Sequence, residues 1–137
     1  NKDILDLYAG SGSLGIEYLS RGANFVTFIE NSNDCMTILK QNLKEFENNY
    51  KITKSSVDKF LQTSLSTYDI VFYDPPFKIE TDVVKNEVMK IHNILNNDGF
   101  VVIHRHTASK EFDILKNYKI HKEKNYGQSN ILILRKL

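Results

Sequence analysis

Short apolar runs alternate with amphipathic segments over most of the chain. Apolar runs of about five residues, bounded by glycine, asparagine or charged residues, indicate buried strands. Between them, apolar residues recur every three or four positions, which is typical of helices that bury one face. The predicted strands cover residues 3–8, 25–29, 51–55, 68–73, 100–104, 118–122 and 131–134. The predicted helices cover residues 14–19, 33–46, 57–61 and 82–95, and residues 96–99 are predicted as a turn.

The order of these elements predicts an α/β fold. Strands that alternate with helices form a mostly parallel, doubly wound sheet with helices on both faces. No helix is predicted between the last two strands, so one of them is expected to run antiparallel at an edge of the sheet. Residues 1–137 are expected to form one domain, because this length suits a single core. The first strand begins almost at Asn1, so we expect that an N-terminal segment is missing.

Composition narrows the class of protein. Hydrophobic residues make up 41% and charged residues 26% of the chain, as in ordinary globular proteins. No apolar run approaches the roughly 20 residues that span a bilayer, and no secretory signal opens the chain. We therefore expect a cytoplasmic protein that does not bind membranes. The single cysteine, Cys35, excludes an internal disulfide, and no residue grouping has metal-ligand spacing, so no metal is predicted.

Three glycines follow the first strand and open a helix. Gly10, Gly12 and Gly15 match the pattern G-x-G-x-x-G, in which a ligand approaches the backbone where a Cβ would block it. Glu30 ends the second strand about 20 residues later, where a carboxylate can accept hydrogen bonds from both hydroxyls of a ribose. The pattern therefore fits an adenosine-containing cofactor, either a nicotinamide dinucleotide or S-adenosylmethionine.

Asp6 lies inside the first strand, close to this turn. A carboxylate brings no benefit beside the negative pyrophosphate of a dinucleotide, whereas S-adenosylmethionine carries a positive sulfonium and an ammonium. Asp6 therefore favours the methyl donor. The alternative is that its carboxylate accepts hydrogen bonds from nearby backbone amides, and both roles can coexist.

The motif Asp74-Pro75-Pro76-Phe77 directly follows the fourth strand. Two prolines stiffen the loop, so the Asp74 carboxylate and the Pro75 carbonyl can point toward one place. Two fixed acceptors can bind the hydrogens of an exocyclic base amine and turn its lone pair toward a methyl carbon. Phe77 can stack on a base that has left its helix or loop. Because ligands bind beyond the carboxyl ends of parallel strands, we expect this motif, the glycine turn and Glu30 to share one crevice.

Three motifs together resemble a known family. The sequence LDLYAGSGSLG at residues 5–15, LSRGA at residues 19–23 and FYDPPF at residues 72–77 are similar to the bacterial 16S ribosomal RNA guanine-N2 methyltransferases of the RsmD type. The resemblance covers nearly the whole chain. It implies the class I methyltransferase fold, a seven-stranded Rossmann-like sheet whose last strand is reversed.

The resemblance also implies a cofactor, a substrate and site residues. The cofactor is S-adenosylmethionine, and the substrate is the N2 amine of a guanine in 16S rRNA within the small ribosomal subunit. A monomer is expected. The residues implied for catalysis are Asp74, Pro75, Pro76 and Phe77. Those implied for cofactor binding are Asp6, Tyr8, Ala9, Gly10, Ser11, Gly12, Glu30, Asn31, Ser56, Val57 and Asp74.

The chain departs from the family in two places. Ser56 stands where relatives often carry Asp or Asn, so the adenine contact can pass to Asp58. The resemblance also implies a basic N-terminal region, which we expect to be missing here, and its loss would explain a net charge of only +1. A weaker signal comes from His104, Arg105 and His106, which can contact RNA phosphates or simply form a polar strand end.

Other functions remain open on the sequence alone. An amino methyltransferase that acts on adenine or cytosine of DNA, or on 23S rRNA, would use the same chemistry. A nicotinamide-dependent oxidoreductase would use the glycine turn and Glu30 but leave the Asp74-Pro75-Pro76-Phe77 loop unexplained. A fragment that binds the cofactor but no RNA is a further possibility.

Overall fold

The computed structural model describes residues 2–106 and 116–137, without the side chain of His106. In this part of the chain, strands and helices alternate as far as the fifth strand. The strands are β1 (Asp3–Leu7), β2 (Phe25–Glu30), β3 (Tyr50–Lys54), β4 (Tyr68–Tyr73), β5 (Leu95–His106), β6 (Tyr118–Tyr126) and β7 (Ser129–Lys136). The helices are α1 (Ser13–Ser20), α2 (Asn33–Asn42), α3 (Val57–Thr63) and α4 (Thr81–Asn93).

The strands form one sheet in the order β3-β2-β1-β4-β5-β7-β6. Strands β1 to β5 pair in parallel, and β7 is antiparallel to both β5 and β6. The predicted α/β class and the reversed last strand are confirmed. The predicted edge position of the reversed strand is wrong. The chain first forms the edge strand β6, which runs parallel to β5. It then turns back at Gly127 (φ 55°), and β7 occupies the place between β5 and β6.

Each face of the sheet has its own core. Along β1, Ile4 belongs to the cluster under α1 and α2, whereas Leu5 and Leu7 belong to the cluster under α3 and α4. This alternation follows from the two-residue period of a strand. All three side chains have no exposed surface, so β1 is central on both faces. The end of β1 is therefore held firmly where the glycine turn begins.

Three element boundaries differ from the sequence prediction by four residues or more. Helix α2 ends at Asn42 instead of residue 46, and the following residues form a turn that still packs Leu43 into the core. Strand β5 begins at Leu95, five residues early, and its register against β4 shifts before Phe100. Strand β6 extends to Tyr126 because it pairs with β7 along its length, although its side chains are mostly polar and exposed.

The helices of the described residues lack the combination of length and apolar character that spanning a bilayer requires.

Gly15 is required by packing between α1 and the sheet. A Cβ on Gly15 would overlap the ring of buried Phe28 and press on Val26. The Gly15→Ala variant gains helix propensity of about 1 kcal/mol, but overpacking a rigid core costs about 1–3 kcal/mol. Because the Cβ would lie far inside van der Waals contact with a ring carbon of Phe28, we expect the upper half of that cost and a net loss of about 1–2 kcal/mol in the free energy of unfolding, measured by urea denaturation. Ser20→Ala, at an exposed position of the same helix, should change it by less than about 0.5 kcal/mol. Equal stability of the two variants would contradict this account.

Candidate active site

Strands β1, β2, β4 and β5 end at one edge of the sheet, and two adjoining cavities open there. The smaller cavity, of about 180 Å³, lies between the end of β2 and the start of α3. The larger cavity, of about 450 Å³, lies over the loop that follows β4. Tyr8 and Glu30 line both cavities, so the two form parts of one site. The convergence of the glycine turn, Glu30 and the loop after β4 agrees with the crevice expected from the sequence.

The glycine turn passes through three left-handed residues. The φ angles are 56° at Tyr8, 59° at Gly10 and 83° at Gly12. A Cβ on Gly10 would meet no atom within 4 Å, so open space lies above the backbone at this residue. A Cβ on Gly12 would overlap the Leu39 side chain, and Gly15 abuts Phe28. Only Gly10 therefore keeps the turn open to a ligand, whereas the other two glycines permit close packing.

The Glu30 carboxylate ties this turn to the end of β2. Its Oε1 accepts the backbone N–H of Gly10 at 2.8 Å. Its Oε2 accepts the N–H groups of Asn31 and Ser32, each at 2.9 Å. Each carboxylate oxygen can accept more than one hydrogen bond, so Glu30 retains capacity for hydroxyl donors from a ligand.

Asp6 is almost fully buried below the turn, and its Oδ2 accepts the backbone N–H of Gly15 at 3.2 Å. The pKa of Asp6 is raised to about 7, because burial and the charges of Asp74 and Glu30 outweigh the Gly15 hydrogen bond, which lowers it. The structure thus shows the backbone-capping role that the sequence left open. Three carboxylates of like charge also make this end of the site electronegative.

Ser56 and Val57 begin α3 at the border of the smaller cavity. The Ser56 hydroxyl caps the helix by accepting the N–H of Lys59 at 3.2 Å, and the Val57 side chain is buried. Asp58 is already occupied on both oxygens. Its Oδ1 lies 3.1 Å from Lys90 Nζ, and its Oδ2 accepts a hydrogen bond from Gln62 at 2.8 Å.

The loop after β4 presents its acceptors to the larger cavity. Nδ1 of His104 donates to Oδ1 of Asp74 at 2.9 Å, since a carboxylate can only accept. This contact leaves the other carboxylate oxygen of Asp74 for a ligand. Pro75 is buried, and the exposed ring of Phe77 meets the His104 ring edge-on at 6.4 Å between centroids. An aromatic surface therefore lies beside the carboxylate.

Arg105 anchors the same loop from the other face of the sheet. Its side chain is only 1% exposed, and it donates to the carbonyls of Pro76 at 3.1 Å and Ile79 at 3.2 Å. The expectation that Arg105 can contact RNA phosphates is therefore wrong, because a buried guanidinium cannot reach them. His104 pairs with Asp74, and the side chain of His106 lies outside the described residues.

Glu87 is a site residue that the sequence interpretation missed. Its carboxylate is buried, and Oε1 accepts the hydroxyls of Tyr8 at 2.8 Å and Tyr73 at 2.7 Å. Burial, and then the Glu87 carboxylate, raise the pKa of both tyrosines above its ordinary value. Glu87 follows Val84 by three positions and so interrupts the apolar face of α4, and this interruption was the available signal. Among the described residues, no grouping of acidic, His and Cys side chains could hold a metal ion.

Comparison with known proteins identifies the family. A family model described as Conserved hypothetical protein 95 matches residues 1–135. Ribosomal RNA small subunit methyltransferase D of Buchnera aphidicola is 33% identical over 132 residues, which cover 93% of this chain and 68% of the relative. A conserved hypothetical protein of Streptococcus pyogenes has a TM-score of 0.89 at 28% identity, over 99% of this chain and 86% of that chain.

A more distant structure extends the comparison at the level of the fold. A protein solved in complex with SAH has a TM-score of 0.85 at 12% identity, over 98% of this chain and 45% of its own. The family model and the motifs that resemble the RsmD-type methyltransferases point to the same family, and the model covers nearly the full length of this chain. The chain therefore belongs to the family whose model is described as Conserved hypothetical protein 95, the RsmD-type methyltransferases.

Proposed function

We propose that this chain transfers a methyl group from S-adenosylmethionine to the exocyclic N2 amine of a guanine in 16S rRNA, within the small ribosomal subunit. The observation that carries the proposal is the meeting of the open glycine turn and the Asp74 carboxylate at one crevice. The name of the Buchnera relative, a small subunit methyltransferase, supports the substrate, and the fold neighbour solved with SAH supports the cofactor. A DNA or 23S rRNA amine remains the main rival substrate.

The residues present fit S-adenosylmethionine better than a dinucleotide. Glu30 offers acceptor oxygens for a ribose diol beside the open space above Gly10. The carboxylates of Asp6, Glu30 and Asp74 raise the negative potential of the site, which favours a cationic ligand and opposes a pyrophosphate. We assign cofactor contacts to these residues and to four others that line the cavities, namely Tyr8, Asn31, Ser56 and Val57. From the family resemblance we also assign contacts to the turn residues Ala9, Gly10, Ser11 and Gly12.

The loop after β4 is suited to hold an amine acceptor. When bound, S-adenosylmethionine supplies an electrophilic methyl carbon on its sulfonium. The carboxylate of Asp74 and the carbonyl of Pro75 accept the two N–H groups of the amine and stabilise the positive charge that develops on it. Phe77 covers one face of the base. Arg105 and the two prolines fix the loop in advance, so that the acceptors need little reorganisation.

The experiment that tests the proposal measures transfer of labelled methyl by the full-length protein to small subunits, 16S RNA, 23S RNA and DNA. We expect label in N2-methylguanosine of 16S RNA or of the small subunit. Asp74→Ala should lower the rate about 10²- to 10³-fold, because a preorganised acceptor is lost, while cofactor affinity falls far less because the contacts of Glu30 and the glycine turn remain.

Asp82→Ala is the matched control for this test, because Asp82 is an exposed carboxylate at the start of α4. It should retain full activity. Label found only in DNA or 23S RNA would replace the proposed substrate. Full activity of Asp74→Ala would remove Asp74 from the catalytic loop.

Glu30 should determine cofactor affinity. In Glu30→Ala the ribose loses a charged acceptor, so we expect the dissociation constant for S-adenosylmethionine to rise about tenfold to a hundredfold by calorimetry. Glu47→Ala, an exposed carboxylate in the loop before β3, should leave it unchanged. Circular dichroism checks that both variants are folded. Unchanged affinity of Glu30→Ala would exclude Glu30 from the ribose site.

Cofactor affinity should depend on pH through Asp6. Because the pKa of Asp6 is raised to about 7, this carboxyl is largely protonated at pH 6, and a bound cation favours its ionised form. Affinity for S-adenosylmethionine should therefore rise between pH 6 and pH 8, by up to about tenfold per pH unit below the pKa. SAH lacks the sulfonium, so its affinity should rise less. The dependence should disappear in Asp6→Asn; an identical dependence in that variant would assign it to another group.

A further inference from the structure

Glu87 supplies a buried negative charge to the wall of the smaller cavity. Its side chain is 3% exposed, and it lines the cavity together with residues of the β2 end and the α3 start. Oε1 is engaged by two hydroxyl donors, those of Tyr8 and Tyr73. Burial of a carboxylate is costly unless its oxygens find hydrogen-bond donors. The two tyrosines meet this need on one oxygen only.

The second oxygen of Glu87 is open to the cavity. None of the described residues donates a hydrogen bond to Oε2. Among these residues, the only side-chain polar atom that is both sealed from solvent and without a partner is Nε2 of His92. Oε2 is therefore not sealed from solvent, and because Glu87 lines this cavity, we infer that a donor on a ligand bound there can reach Oε2.

The other carboxylates of this cavity, and the Ser56 hydroxyl, already have partners within the protein. Each oxygen of Asp58 has one partner, Lys90 or Gln62, and the Ser56 hydroxyl caps α3. Glu30 holds the glycine turn and lies on the side shared with the larger cavity. Glu87 Oε2 is thus the carboxylate oxygen of this cavity that accepts no hydrogen bond from any residue that the structure describes.

We propose that Glu87 Oε2 accepts a hydrogen bond from the 6-amino group of the adenine ring and so selects adenosine over 6-oxo ligands. The inference rests on the proposed cofactor site, in which the adenine occupies the cavity that Ser56 and Val57 border. This placement follows the adenine contact that the family resemblance implies for the Ser56 region. A carboxylate can only accept hydrogen bonds, so it pairs with an N–H donor and repels a carbonyl oxygen at the same ring position. The two tyrosine hydroxyls fix Oε1 of the carboxylate and leave Oε2 for the ligand.

The test compares SAH with S-inosyl-L-homocysteine, which differs at the 6-position of the purine. Calorimetry with the wild-type full-length protein should give about 10- to 100-fold tighter binding of SAH, the range for a hydrogen bond to a charged acceptor. In Glu87→Gln, the carboxamide can donate to the 6-oxo group, so the two affinities should differ less than about threefold. Equal weakening of both ligands in Glu87→Gln would show a purely structural role and overturn the inference.

Two further variants separate Glu87 from its neighbours. Tyr73→Phe removes one donor to Oε1 but leaves Oε2, so it should keep at least about tenfold discrimination even if stability falls. Asp58→Asn should also keep the discrimination, because Asp58 is paired with Lys90. Loss of discrimination in Asp58→Asn, with Glu87→Gln unaffected, would assign the amine to Asp58. Wild-type protein that binds neither ligand would refute the cofactor assignment itself.

Discussion

The site depends on the hydrogen bonds that the Glu30 carboxylate accepts from the backbone. The turn after β1 passes through left-handed residues, and its Gly10 N–H donates to the Glu30 side chain. Glu30 accepts this hydrogen bond from Gly10 and two more from the backbone N–H groups of Asn31 and Ser32, which follow β2. One side chain therefore connects two loops, and it does so from the side, so that the space above Gly10 stays open.

This arrangement places negative charge at the same edge. Asp6 and Asp74 stand near Glu30, and the mutual repulsion adds to burial in raising the pKa of Asp6. Ionisation of buried Asp6 is therefore unfavourable in the free protein, because it places a third negative charge near Glu30 and Asp74. A cationic ligand would relieve that repulsion. The electrostatics of the unliganded site thus favour the kind of cofactor that the glycine turn alone could not distinguish.

The sequence predicted the parts of the site that depend on local pattern. Gly10, Glu30 and Asp74 follow strands at fixed places, and the parallel sheet brings strand ends together. It could not predict partners that depend on tertiary packing. Arg105 was interpreted as a surface cation, although strand alternation directs it to the face opposite His104, where it is buried. Glu87 lies far along the chain from Tyr8, and only the packing of α4 on the sheet joins them.

The loop after β4 shows why these non-local partners matter. Prolines restrict its backbone but do not determine where it lies relative to the cofactor side of the crevice. That position is set by β5, whose adjacent residues act from opposite faces. His104 holds the Asp74 carboxylate, and Arg105 holds the carbonyls of Pro76 and Ile79. Because β5 pairs directly with β4, both anchors move with the strand that carries the loop. The acceptors are therefore positioned by the sheet itself, before any substrate binds.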